Sequence, residues 1–374
     1  MDKETSEDGA FGVGSVRRPV PQVNRRKFLA LGGATAAAAA AAGVGGQYLQ
    51  DKFFNVNTSA VKIGQVASTP LPAGASITDI PGLSPFYTPN GSFYRVDTAL
   101  VVPQIAPSAW QLRIHGMVDK PMTLTFDDLM KLPMEDHDVT LTCVSENVGG
   151  GYIGNARWQG TLLAPILKKV GIQPGANQIV MRDVNGMNLG VATDPVMDGR
   201  TSMLAIGMNG TALPQQHGFP VRVVVPGLYG YVSACKWVVD MEFTTYSAYS
   251  AYWTHRGWSQ QAPIKTESRI DTPKGNTTVT GGSTVMIAGV AWAQHRGIEA
   301  VEVSVDGSWR PATLAAQDTI DTWRQWHYPW HATAGRHVLQ VRATDKTGYT
   351  QTATAHAPEP NGATGYHTIT VQAT

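Results

Sequence analysis

Hydrophobic and polar positions alternate in several short stretches of this chain and follow a helical period in only a few. Trp110, Leu112 and Ile114 alternate with Gln111, Arg113 and His115, which predicts a strand with one buried face. Thr125-Phe126-Asp127-Asp128 has the spacing of a capping box and predicts a short helix through Leu132. Leu162 to Val170 keeps a helical period and stops at Gly171. Val221 to Val225 is a nearly continuous apolar run closed by Pro226-Gly227, as expected of a buried strand. These stretches predict an α+β domain with a mostly buried sheet over residues 80–265. Beyond it the pattern changes. Val301, Val303 and Val305 alternate with Glu302, Ser304 and Asp306, and Asp306-Gly307 is a hairpin signal. Leu339, Val341 and Ala343 alternate with Gln340 and Arg342 before a turn at Asp345 to Gly348. Short strands at this spacing predict an all-β immunoglobulin-like sandwich over residues 266–374.

Length agrees with two domains, since 374 residues exceed one ordinary core. With 39 glycines and 23 prolines, the chain favours turns and short strands over long helices. A formal net charge of +1 gives no footing for nucleic acid, whose binding depends on neutralising phosphates.

The first 50 residues stand apart. Asn24-Arg25-Arg26-Lys27-Phe28-Leu29 precedes an Ala/Gly-rich apolar run from Ala30 to Gly46. This resembles a twin-arginine leader and predicts export to a periplasmic or other extracytoplasmic site. Ala40-Ala41-Ala42 offers a cleavage site; uncut, the run would be an N-terminal membrane anchor. Residues 51–79, with Pro70 and Pro72, read as a linker.

Only two cysteines occur, Cys143 and Cys235, and in an exported protein they can form one structural disulfide. Thr140-Leu141-Thr142-Cys143-Val144-Ser145, however, carries Cys143 into a turn that ends at Gly149-Gly150-Gly151. One thiolate without partner Cys or His spacing argues against zinc or an iron–sulfur cluster. A nucleophile, a single-thiolate cofactor site and a structural thiol remain. Arg222 interrupts the apolar run after His217-Gly218-Phe219-Pro220 and needs an anion, either an internal carboxylate or a bound phosphate. Gly230-Tyr231-Val232-Ser233-Ala234-Cys235-Lys236-Trp237 offers backbone donors, a hydroxyl and a cation in one loop. Phe93-Tyr94-Arg95 and Ala156-Arg157-Trp158 each join an arginine to aromatics, at a ligand cleft or in surface salt bridges.

Taken in order, Phe-x-Arg at 93–95, the Thr140 to Cys143 segment, Ala-Arg-Trp at 156–158, the run from His217 to Gly227 and Lys236-Trp237 resemble the sulfite oxidases. The likeness extends over residues 80–374. It is nearest a bacterial branch of molybdopterin-dependent oxidoreductases at Gly154 to Trp158, Gly227 to Trp237 and Ala291 to Gly297. The resemblance implies a molybdopterin-binding domain followed by an immunoglobulin-like dimerisation domain. It implies that Cys143 is the protein ligand to molybdenum and that His217 and Arg222 hold the pterin's terminal phosphate. Gly230, Ser233, Lys236 and Trp237 would bind the cofactor further, with Phe93, Tyr94 and Arg95 beside the pterin. Arg95, Arg157 and Trp158 would face the substrate. Two positions depart from the family. No arginine follows Cys143 within Val144 to Val148, where Glu146 adds negative charge, and Asp97 replaces the histidine that ends the Phe-x-Arg motif. Both make the pocket less welcoming to a small dianion.

What the resemblance implies chemically is transfer of an oxygen atom at molybdenum, to or from a lone-pair atom of a small-molecule substrate. Electrons would be exchanged with an external cytochrome or quinone-linked carrier. Oxidation of sulfite-like compounds and reduction of S- or N-oxides use the same scaffold in opposite directions. The chain lacks Cys-x-x-Cys-His, so no covalent haem is expected. The rival readings are a non-enzymatic exported binding protein with a Cys143–Cys235 disulfide and a hydrolase pairing Cys143 with His217.

Overall fold

The computed structural model describes residue 58, residues 61–64, residue 66 and residues 68–374. The leader expected over residues 1–50 lies outside them, as does the start of the linker.

Ten strands form the first half: β1 (Gln111–Gly116), β2 (Met122–Thr125), β3 (Glu135–Thr142), β4 (Ile153–Leu162), β5 (Gln178–Asp183), β6 (Asn188–Ala192), β7 (Met203–Met208), β8 (Thr211–Ala212), β9 (Arg222–Val224) and β10 (Val238–Thr244). Among the described residues four α-helices join them: α1 (Phe126–Met130), α2 (Leu163–Val170), α3 (Thr193–Met197) and α4 (Gly230–Ser233). One sheet runs β2-β1-β10-β5-β6, and the other runs β3-β4-β7-β8 with β9 added on β7. The half is therefore mostly β, with less helix than the α+β expectation. The helical stretches are short because their ends are fixed locally. Pro165 and Pro195 lie in the first turns of α2 and α3, where proline is tolerated but bars helix upstream. Gly171, at φ +66°, ends α2. Helix α1 has the expected capping box between Thr125 and Asp128 but stops at Met130, two residues short of Leu132.

The second half holds β11 (Glu267–Thr272), β12 (Thr278–Val279), β13 (Thr284–Trp292), β14 (Ile298–Val305), β15 (Ser308–Pro311), β16 (Thr313–Leu314), β17 (Arg324–His331), β18 (Gly335–Asp345) and β19 (His367–Ala373). Its two sheets run β11-β13-β17-β16 and β12-β19-β18-β14-β15. Asp306 and Gly307, both at positive φ, make the tight turn between β14 and β15, the conformation a two-residue hairpin demands. Trp326, Trp330, Leu339, Val341 and Val303 are buried together in this half's core.

Three contacts carry the second half onto the strand that leads to Cys143. Gln294 donates to the Thr140 carbonyl at 3.0 Å, Trp323 N–H donates to Thr140 Oγ1 at 2.7 Å, and Thr140 N–H donates to the Asp321 carbonyl at 3.0 Å. Just past Cys143, Arg269 donates to the Gly150 carbonyl at 2.7 Å.

Candidate active site

Strand β3 ends at Thr142, and Cys143 continues its pairing for one more step by donating its N–H to the Tyr152 carbonyl at 2.9 Å. Alternation puts Val139, Leu141 and Cys143 on one face, and Val139 and Leu141 join the cluster that includes Phe93, Trp158, Phe219 and Val224. That cluster lies beneath a cavity of about 290 Å³ in whose wall Cys143 stands. The thiol sits 3.0 Å from Ser145 Oγ. Burial is the main cause that raises its pKa, opposed by the Ser145 hydrogen bonds and aided by Glu146. Cys143 and Cys235 are both free and buried, so the disulfide reading has no counterpart here.

Arg222 lies on β9 in the same cavity and is 4% exposed. Its Nη1 donates to the His217 carbonyl at 3.1 Å and its Nη2 to the Ala234 carbonyl at 3.4 Å, while Nε has no partner among the described residues. The guanidinium stacks 4.8 Å from the centre of the Trp158 ring. Among the described residues no carboxylate pairs with it, and burial pulls its pKa down to about 10. Gly218, at φ +111°, makes this packing possible: a Cβ there would come within 2.9 Å of the Arg222 Cβ and 3.2 Å of the Lys236 Cβ.

His217 also lines the cavity. Its Nε2 lies 2.9 Å from the Asn90 carbonyl, which can only accept, so Nε2 carries the proton and Nδ1 is left as an acceptor. Burial holds its pKa down to about 4, and burial does the same to His367. In the unfolded chain each imidazole titrates near 6.5. Between pH 6.5 and 4 the unfolded chain therefore binds protons that the folded protein does not, and stability falls as pH falls through that window. Allowing for partial solvent contact, the loss is on the order of 2 kcal/mol per histidine. The melting temperature should decline over this range, and His217→Gln and His367→Gln should each flatten the decline. An unchanged slope in both variants would reject the assignment.

Lys236 Nζ binds Asp97 and the Gln216 carbonyl, and lies 4.9 Å from the Trp237 ring centre. Burial lowers its pKa to about 8 against the pull of Asp97. Phe93 and Tyr94 stack at 5.3 Å and line the cavity together with Gly230 and Trp237.

Four of the residues singled out in the sequence lie elsewhere. Arg157 faces Asp138 across the β3–β4 pair, on the side of the sheet away from Cys143. It is held there by Asp138 at 2.7 and 2.8 Å and by the Tyr87 hydroxyl at 2.7 Å. Trp158 is fully buried under Arg222 and is not part of the cavity wall. Arg95 is turned to Asp97 at 2.8 Å. Ser233 lies in helix α4, where its hydroxyl donates to the Leu228 and Tyr229 carbonyls.

The wall also includes Tyr231, from the 230–237 loop singled out in the sequence, and residues that the sequence did not mark: Met187, Leu189, Trp253 and Trp258. Tyr231 and Trp258 approach to 5.9 Å between ring centres, and the Tyr231 hydroxyl donates to the Ser259 carbonyl at 2.6 Å. The one signal available was the run of aromatics from Tyr246 to Trp258.

A buried guanidinium with an unpartnered Nε, beside a neutral imidazole, a lysine and a lone thiol, fits a cofactor with an anionic end and a soft metal. The family described as "Oxidoreductase molybdopterin binding domain" matches residues 99–253. Mitochondrial sulfite oxidase of Rattus norvegicus is 29% identical over 311 residues, covering 68% of this chain and 55% of its own length. The chain thus spans about half the length of that relative. The protein-methionine-sulfoxide reductase catalytic subunit MsrP of Ralstonia nicotianae is 30% identical over 247 residues, covering 56% of this chain and 71% of its own length. In fold, the sulfane dehydrogenase SoxCD from Paracoccus pantotrophus matches with a TM-score of 0.67 at 23% identity, over 86% of this chain and 96% of that one. The chain belongs to the sulfite oxidase-type family of molybdopterin-binding oxidoreductases.

Proposed function

We propose that this protein transfers an oxygen atom at a molybdenum centre held by molybdopterin and exchanges electrons with an external carrier. The observation that carries the reading is Arg222, a buried cation with no carboxylate partner among the described residues, in the same cavity as the Cys143 thiol. The cofactor, when bound, supplies a metal that changes oxidation state by two electrons and at which oxygen moves to or from a lone-pair atom.

The protein's share is binding and orientation. Cys143 Sγ is the metal ligand, with Ser145 Oγ at 3.0 Å to orient it. Arg222 presents Nε to the anionic end of the cofactor. His217 offers Nδ1 as an acceptor, so it takes a proton as a phosphate settles against it or receives one from a protonated phosphate oxygen. Phe93 and Tyr94 form an apolar wall that excludes water. Of the cations proposed for the substrate side, Arg157 serves the β3–β4 pair instead.

Reduction of an S- or N-oxide is the direction favoured by the uncharged part of the wall, Trp253, Trp258, Tyr231, Met187 and Leu189; the two cations that line the cavity, Arg222 and Lys236, belong to the proposed cofactor end. The resemblance to MsrP points the same way. A sulfoxide then takes two electrons from the carrier and two protons from solvent, giving a thioether and water. Protein made in a molybdenum-competent host should contain stoichiometric molybdenum. Assays with sulfite plus a cytochrome acceptor, and with methionine sulfoxide plus reduced viologen, separate the two directions. Zinc or no metal would sink the whole reading.

The same proposal covers the rest of the chain. Residues 1–50 would direct twin-arginine export, and 80–265 and 266–374 would be separate domains, the second an immunoglobulin-like module that pairs two copies. Loss of export in a host without the twin-arginine translocase checks the first claim. A sedimentation mass of two chains checks the last.

A further inference from the structure

The turn that follows Cys143 is held from the other half of the protein. Past Cys143 the pairing that continues β3 ends, and the chain folds back through two backbone bonds. Glu146 N–H donates to the Cys143 carbonyl at 3.3 Å, and Gly150 N–H donates to the Asn147 carbonyl at 2.9 Å. Gly149, Gly150 and Gly151 end this turn, and glycine leaves a backbone more freedom than any other residue. Arg269, on β11, supplies a restraint. Its Nη1 donates to the Gly150 carbonyl at 2.7 Å, its Nη2 to Ser84 Oγ at 3.0 Å and its Nε to Asp271 Oδ1 at 2.7 Å. Asp271 Oδ2 in turn accepts from the Ser84 N–H at 3.0 Å, and the Arg269 and Asp271 side chains are only 11% and 4% exposed. His367, on β19, closes the outside of the same turn. Its Nδ1 accepts from the Ile270 N–H at 2.9 Å, and a Cβ on Gly149 would overlap its ring. From inside, a Cβ on Gly150 would overlap the Glu146 carboxylate. Burial raises the pKa of that carboxylate, against the Asn147 N–H and the Arg269 charge.

We propose that Arg269 is a positioning residue for Cys143: by pinning the Gly150 carbonyl it keeps the turn after the cysteine in one conformation, so that Cys143 and Ser145 keep their places in the cavity wall. The second half is then part of the active centre and not only a module beside it. The inference rests on the oxygen-transfer reading above and adds a residue outside the cavity on which that site depends. A metal ligand has to be held within about 0.5 Å of its working position by groups that are themselves fixed. Strand pairing fixes Cys143 on its N-terminal side, through its N–H to the Tyr152 carbonyl. On the other side its carbonyl is tied to Glu146, whose own turn shifts unless something beyond it is anchored. Arginine suits that task, because a rigid planar fork reaches three partners at once where a lysine presents one point charge. Asp271 and Ser84 fix the fork, and the fork fixes the turn.

Arg269→Lys tests this on the full chain made in a host without molybdopterin, by the rate at which iodoacetamide alkylates each cysteine, mapped by mass spectrometry. Cys143 and Cys235 are both buried and free, so the second is an internal reference for the first. Loss of a charge-assisted hydrogen bond shifts the opening equilibrium of the turn by about tenfold or more. Cys143 should be alkylated faster by that factor while Cys235 keeps its wild-type rate. An equal rise at both cysteines would mean general loosening and overturns the proposal, as does an unchanged rate at both. Should the lysine protein fail to fold, Ser84→Ala removes one partner of the fork and should still speed Cys143 alone, by roughly two- to tenfold. No rise there is equally fatal. In the loaded protein Arg269→Lys should retain molybdenum, lower kcat more than it raises KM, and shift the paramagnetic resonance spectrum of the one-electron-reduced protein, because the sulfur meets the metal at a different angle. An unchanged spectrum with wild-type kcat rejects the positioning role. Wild-type protein without molybdenum or turnover would fault the oxygen-transfer reading instead, and the alkylation ratio, read without metal, still reports on Arg269.

Discussion

Cys143→Ser is expected to fold normally and to lose at least about a thousandfold in turnover, equivalent to about 4 kcal/mol of transition-state stabilisation. A serine oxygen is a harder and less electron-donating ligand than a thiolate, so even where it binds it changes the redox character of the metal. Stability should hardly change. The swap is nearly isosteric, and the new hydroxyl finds Ser145 Oγ, 3.0 Å from the present sulfur. Cys235→Ser gives the opposite result. Cys235 is 2% exposed in an apolar cluster, and burial pushes its thiol pKa up, so its ordinary form is the neutral thiol. A hydroxyl buried there costs about 1–3 kcal/mol when poorly partnered, but metal content should stay. Measuring molybdenum, kcat and melting temperature on both variants separates the two sulfurs. A Cys143→Ser protein with a tenth of normal activity would remove the ligand assignment, as would a Cys235→Ser protein equally poor in metal.

The two sulfurs also show what the chain discloses before it is folded. Cys143 was legible because it ends a strand-like run and leads into three glycines, and Arg222 because one charge in an apolar run breaks the pattern. Both are local signals, and both residues reach the cavity. The partners of the other cations were not legible, because a strand pattern tells which residues share a face but not what lies opposite. Arg157 meets Asp138 only through the β3–β4 register, which no residue in either strand encodes alone. Lys236 meets Asp97 across 139 positions. Ser233 read as a loop donor, yet one turn of helix directs its hydroxyl onto backbone carbonyls. Trp253 and Trp258 flank an irregular turn, where no period exists to mark an inward face. In the second half the alternation of β14 and β18 was plain, and the turn residues Asp306 and Gly307 set where one hairpin closes.

Arg222→Met is expected to move two measurements in opposite directions. In a host that makes no molybdopterin, the variant should melt at or above the wild-type temperature. Burial lowers the guanidinium pKa to about 10 in the folded protein, well below that of the free group. Above about pH 10 the unfolded chain still binds a proton that the folded one has lost, so at neutral pH the buried charge opposes folding, and that penalty lifts only as pH rises past 10. Replacing an unpaired buried charge by an apolar side chain of similar reach is neutral or stabilising by about 1–4 kcal/mol. The two hydrogen bonds given up, at 3.1 and 3.4 Å to carbonyls, offset only part of this, about 1 kcal/mol each at most. In a molybdenum-competent host the same variant should release cofactor at least a hundredfold faster, since two charge-assisted bonds to a phosphate are worth about 3–6 kcal/mol together. Arg222→Lys should fall between, keeping the charge but not the two-pronged geometry. A methionine variant that unfolds easily yet keeps its cofactor would show that Arg222 supports the Trp158 floor and nothing more. Gain in the empty protein with loss in the loaded one is the signature of a cation held in place for a ligand.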